Sequence, residues 1–115
     1  MEDRLIELLS TFGYPVIRQG TLTEDETYPD DFFTFWNNDS SDSSHYDNEV
    51  ASMIYNYDVN FYSNSPNNTY NKLREAINLL KREGFIISGD GYDLVSDEDT
   101  HTGRGVNALY LKKER

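Results

Sequence analysis

Residues 49–62 constrain the fold of this chain more than any other segment. Met53, Tyr55, Tyr57, Val59 and Phe61 fall on one side of an alternating pattern, and Asn56, Asp58 and Asn60 on the other. Successive side chains of a strand point to opposite faces, so a period of two over this length predicts a long, half-buried β-strand. Such a strand is not stable alone; it needs neighbouring strands and a layer that covers its apolar face. A neighbour stands close in sequence. Phe32-Phe33-Thr34-Phe35-Trp36, bounded by Pro29 and by Asn37-Asn38, reads as a compact aromatic strand. The Ser/Asp-rich segment between the two, about residues 38–49, is expected to be an acidic, mobile loop that closes a long hairpin.

The covering layer is legible as two amphipathic helices. Leu5, Leu8, Leu9 and Phe12 recur at helical spacing and predict a helix over 2–12, closed by Gly13 and Pro15. Ser65-Pro66 is a helix start, and Tyr70, Leu73, Ala76, Ile77 and Leu80 make one stripe that runs to Gly84. Residues 14–18 are expected to be extended. Phe85-Ile86-Ile87 and Tyr92 to Val95 are expected to form a hairpin around Gly89-Asp90-Gly91, and Val106 to Leu111 a last strand. With 115 residues and no internal repeat, the chain is expected to form one domain over 1–115. The fold class is α+β, a two-layer sandwich: a mainly antiparallel sheet with a long hairpin and two helices packed on one face.

Composition supports a folded chain, since 14% of its residues are aromatic although only 37% are hydrophobic. The absence of cysteine excludes disulfides, thiolate metal sites and a cysteine nucleophile. Glu2 and Asp3 follow Met1, where a secretory leader would carry basic and then apolar residues, so an intracellular product is expected.

Charge is distributed unevenly. Of the 21 acidic residues, thirteen lie in residues 1–60, where Arg4 and Arg18 are the only Lys or Arg; residues 61–115 carry eight of each sign. The whole net charge of −11 therefore belongs to the first half. That field repels phosphate backbones and disfavours nucleic-acid binding through this half; a basic partner, or plain solvation, suits it better.

No catalytic constellation emerges. His45 stands among Ser43, Ser44 and Asp47 in a loop, but a triad is defined by spatial geometry and not by sequence neighbours. His101, in Thr-His-Thr-Gly-Arg-Gly, reads as a hydrogen-bonded structural histidine. Asn38, Ser40, Asp42, Ser44 and Glu49 fit the first, third, fifth, seventh and twelfth positions of a calcium loop, yet Ser43 occupies the position that needs glycine and the flanks read as strands. No metal site and no cofactor are expected. Gly103-Arg104-Gly105 is too short for a phosphate loop and reads as a bend opening a strand, with Arg104 a candidate anchor for a partner carboxylate.

The remaining candidates are interaction residues. Along the aromatic strand Phe33 and Phe35 share one face, and Phe32 and Trp36 the other. If helices cover the first face, Phe32 and Trp36 are presented outward, as aromatics at protein contacts are. Asp39, Asp42, Asp47 and Glu49 of the acidic segment are the other candidates for such contacts.

Several segments carry a resemblance: Tyr14-Pro-Val-Ile-Arg-Gln-Gly20, Phe33-Thr-Phe-Trp-Asn-Asn-Asp39, Tyr57-Asp-Val-Asn-Phe-Tyr-Ser63, and Gly84-Phe-Ile-Ile-Ser-Gly-Asp-Gly-Tyr-Asp93. With the helix from Tyr70 to Glu83 and the polar turn Ser96-Asp-Glu-Asp-Thr-His-Thr-Gly-Arg-Gly105, they are similar to tail-completion and tail-terminator proteins of long-tailed bacteriophages of Gram-positive bacteria. The likeness follows element order over nearly the whole chain. It implies a non-enzymatic virion protein with a small α+β fold, commonly six copies in a ring that joins the tail tube to the head connector. Implied with it are self-association, tail-tube or connector partners, DNA passing without specific binding, no membrane, and residence in the virion after assembly in the host cytoplasm. The alternative from the charge alone is an acidic DNA mimic, an inhibitor or adaptor that binds a basic host protein.

Overall fold

The computed structural model describes residues 2–18, 29–42, 52–94 and 100–113. Chain order is α1 (Glu2–Ser10), β1 (Val16–Arg18), β2 (Asp31–Asp42), β3 (Ser52–Ser63), α2 (Pro66–Arg82), β4 (Ile86–Ile87), β5 (Tyr92–Leu94) and β6 (Thr102–Lys113). The strands form one sheet in the order β1-β2-β3-β6-β4, with β5 also on β6. All pairs are antiparallel except β1 with β2. This is the expected α+β two-layer arrangement. No described helix is long and apolar enough to cross a membrane.

Strand β3 is the axis of the sheet, paired with β2 on one side from Met53 to Ser63 and with β6 on the other from Ser52 to Ser63. Its predicted alternation is realised: Tyr57, Val59 and Phe61 are buried beneath the helices, and Tyr55 packs against the same cluster. Leu5 and Leu9 of α1 join Leu73, Ala76, Ile77 and Leu80 of α2 over that face, so both helices lie on one side. Aromatic packing knits the centre together, with the Phe33 and Phe61 rings 4.7 Å apart and Tyr14 at 5.4 Å from Phe61.

Polar chemistry decides where α2 begins. Ser65 caps it, accepting a hydrogen bond from the Asn68 amide at 3.4 Å, and Pro66 takes the first helical position, where no amide partner is needed. Asn68 Nδ2 donates to Asp31 Oδ1 at 2.8 Å, the Ser63 hydroxyl donates to the same oxygen, and Thr69 meets Thr102 Oγ1 at 2.8 Å. The first turn is thereby tied to the start of β2, the end of β3 and the start of β6. At the other end Gly84 takes φ +100, a left-handed conformation that favours glycine and lets the chain leave the helix.

The structure revises three expectations. First, α1 ends at Ser10; the Thr11, Phe12 and Gly13 amides bond three residues back, a tighter turn that still brings Phe12 within 5.6 Å of Phe33. Second, the aromatic strand is longer than its apolar part. β2 runs to Asp42 because β3 supplies partners for its polar residues, with an irregularity between Asn37 and Asp39. Residues 38–42 of the expected acidic loop are therefore strand, and the rest of that loop lies outside the described residues. Third, β4 and β5 do not pair with each other. Both run antiparallel to β6, Ile87 opposite Ala108 and Tyr92 opposite Gly105, so they form one edge interrupted by an outward detour at Ser88–Gly91.

Two outcomes test this packing. Phe61→Ala removes a ring from the centre of the core and is expected to cost about 3–5 kcal/mol in chemical denaturation. Tyr57 is buried beside Glu2 and Tyr55; burial foremost, then those neighbours, push its hydroxyl up to about 12, against the opposing pull of Arg18. Its folded value is thus above the usual 10, so its contribution to stability is complete below pH 10 and lost as pH rises through about 12. Ultraviolet titration of the folded chain should show a late-ionising step that Tyr57→Phe removes.

Candidate functional site

The helices cover one face of the sheet, and no described helix or strand covers the other. Register places six rows on this open face. They read Phe32–Tyr62–Gly103–Leu94, Ile17–Thr34–Asn60–Gly105–Tyr92, Trp36–Asp58–Asn107, Asp39–Asn56–Leu109–Ile86, Ser41–Ile54–Leu111, and Ser52–Lys113. Among the described residues five large hydrophobics stay exposed; Trp36, Ile86, Tyr92 and Leu111 lie here, and Tyr70 is on α2.

The rows change character along the strands. In the first, Phe32 is 2% exposed. Its ring stacks on its cross-strand partner Tyr62 at 5.3 Å and meets the His101 ring edge at 6.1 Å, while His101 Nε2 lies 2.8 Å from the Pro29 carbonyl oxygen. The expectation that Phe32 is presented outward is corrected: a loop histidine and a neighbouring tyrosine cover it. Trp36 is 46% exposed, as expected of an outward aromatic.

Gly103 and Gly105 serve this covering. They lie inside β6 and do not open it as a bend. A Cβ on Gly103 would sit 2.5 Å from the Tyr62 ring, and one on Gly105 would sit 2.2 Å from Asn60 Oδ1. Only hydrogen at these positions lets Tyr62 and Asn60 lie flat across the strand. Next comes an amide ladder: Asn107 Nδ2 donates to Asn56 Oδ1 at 2.6 Å and to Asp58 Oδ1 at 3.1 Å, while Asn60 Nδ2 reaches Thr34 at 3.3 Å. Beyond the ladder the face turns apolar, with Leu109, Leu111, Ile54 and Ile86 on adjacent strands. Burial raises the Tyr92 hydroxyl above its ordinary range, with Asp58 in the neighbouring row adding to it.

Arg104 is on the helix side and is engaged within the chain. Nη1 donates to Asp93 Oδ1 at 2.8 Å, Nη2 donates to the Asp90 and Gly91 carbonyls at 3.2 and 3.3 Å, and the guanidinium sits 5.1 Å from the Tyr70 ring centre. The carboxylate it was expected to find on a partner is supplied by Asp93. One side chain thus pins the detour between β4 and β5, the next edge residue and the first half of α2. Asp39 and Asp42 are ladder positions of β2, and Asp47 and Glu49 lie outside the described residues. The structure therefore gathers Trp36 and, by register, Asp39 on one face, and separates Arg104 from them.

Sequence reasoning missed Ile54, Ile86, Leu109 and Leu111 as one surface. The Gly-x-Gly of β6, in register with Asn60 and Tyr62, carries the signal that side chains lie over that strand, but the register is needed to use it. Comparison with known proteins yields no match, either to a family model or, at a significant level, to a curated sequence.

Arg104→Ala is expected to lower stability by about 1.5–3 kcal/mol, the range for hydrogen bonds to a charged group. Arg104→Lys should recover little of it, because an ammonium cannot reproduce the planar fork. Equilibrium urea unfolding of the three chains checks both statements.

Proposed function

We propose that this chain is a structural virion protein that completes or terminates the tail of a long-tailed bacteriophage and joins it to the head connector, working as a ring of copies and not as an enzyme. The observation that carries this reading is the fold: a small α+β sheet with both helices on one side, in the element order that the sequence resemblance implies. The sheet face that no described helix or strand covers, with Trp36 and Tyr92 exposed on it, adds to it, since an assembly protein needs surface to share. In such a ring, acidic residues of the first half that line the passage would repel the DNA backbone and keep it from sticking. Copies would gather in the host cytoplasm and end in the particle, against tail-tube or connector proteins.

The alternative of a DNA mimic asks for an array of carboxylates on one surface. The open face offers Asp58 and Asp39, and both helices mix acidic with basic residues, so the described residues give that alternative no support.

A nonsense codon early in the gene of the phage tests the proposal. Electron microscopy of the lysate is expected to show unjoined heads and tails, or tails of irregular length, with infectious particles restored by the wild-type chain supplied in trans. Normal particles at normal yield would reject it.

A further inference from the structure

We infer that the open sheet face is a self-contact surface, on which a second copy of this chain packs. The inference goes beyond the reading above, because one face meeting its own copy makes a two-fold pair and does not by itself close a ring; it rests on that reading only in supposing that several copies meet. Its own grounds are charge and area.

Charged residues make up 27% of the chain, yet register places only Asp58, Asp39 and, at the far end opposite Ser52, Lys113 on this face. Depletion of charge around exposed aromatic and aliphatic residues is the composition of an interface core. It also selects the occupant. A strongly basic partner would bury its cations against a face with two acids to meet them, at a desolvation cost nothing here offsets. A second copy brings the same neutral surface. Its Asn56 and Asn107 amides both donate and accept, so amide can meet amide across the contact, which carboxylates cannot do at neutral pH. Trp36, Leu111 and Ile86, at 46%, 46% and 60% exposed, supply the apolar anchors.

The dimensions suffice for a pair. Three twelve-residue strands at about 3.3 Å per residue and about 4.8 Å spacing, with the short edge strands β4 and β5, give a face of roughly 650 Å². Two such faces exceed the roughly 1,000 Å² in total that a specific interface needs. The remainder of each copy is strongly acidic, so two copies repel at a distance while the contact itself is nearly neutral. Added salt screens the repulsion and leaves the apolar contact in place, which makes the association tighten with salt; capture of a basic partner would loosen.

Sedimentation velocity on the full chain, from about 5 to 500 µM and in low and high salt, reads this directly. Self-association that strengthens with salt is expected, with Leu111→Glu and Ile86→Glu each weakening it about tenfold or more. Tyr70→Ser, which alters the exposed aromatic on the opposite layer, should leave it unchanged, and far-UV circular dichroism of every variant should match the parent. Assembly that ignores Leu111→Glu and Ile86→Glu overturns this face and leaves the ring reading standing. A monomer at every concentration and salt overturns the self-contact altogether. Association that weakens with salt does the same and points to ionic contacts elsewhere. Loss of the virion phenotype with a salt-strengthened, variant-sensitive pair intact would sink only the tail role.

Discussion

Strand β3 is hydrogen-bonded on both sides along its length, and this fixes the problem that the rest of the structure solves. Every residue of a strand held that way projects to one face of the sheet or the other, and the described helices lie on one face only. On the helix side the solution is burial, with rings and branched chains from β2, β3 and β6 under Leu5, Leu9, Leu73 and Leu80. Large side chains from several strands meet there, and removing one leaves a cavity that the rigid sheet cannot close.

On the other side the chain uses three devices in sequence. Where strands start and end near α2, Tyr62 and Asn60 fold down over Gly103 and Gly105, so the sheet covers itself. In the middle, asparagines bond across strands and satisfy their own polar groups. At the far end neither device is available, and leucine and isoleucine remain exposed. A protein retains an uncovered apolar patch at some risk of aggregation, and contact with another copy is the state in which that risk becomes a function. The same gradient explains why the face is poor in charge while the chain as a whole is strongly acidic. Repulsion at long range and attraction at short range then act on different parts of the molecule, and solvent conditions set their balance.

Arg104 illustrates how one residue can serve edge and layer together. An edge built from β4 and β5 with a detour between them has carbonyls with no ladder partner, and the planar guanidinium takes two of them while pairing with Asp93. The polar ties among Asp31, Ser63, Asn68, Thr69 and Thr102 do the matching work at the start of α2. Between them these two clusters set the helix against the sheet at a fixed point, so the apolar stripe above meets the core in register.

The amino-acid order alone determined the elements whose signals are local. The alternation of Tyr55 to Phe61, the stripe of Leu73 to Leu80, the Ser65-Pro66 start and the Gly84 stop depend on neighbours a few positions away, and each is legible without a fold. The same holds for the two-layer α+β class, because two apolar stripes and one apolar sheet face leave few ways to be buried. Tertiary structure decided what depends on pairing across distance. The polar half of β2 is strand only because β3 lies beside it, and β4 and β5 share an edge only because β6 offers both of them partners. Phe32 is covered by His101, far along the chain, while Trp36, four residues on, is not. Periodicity states which side of a strand a residue is on; only the packed sheet states what stands on that side.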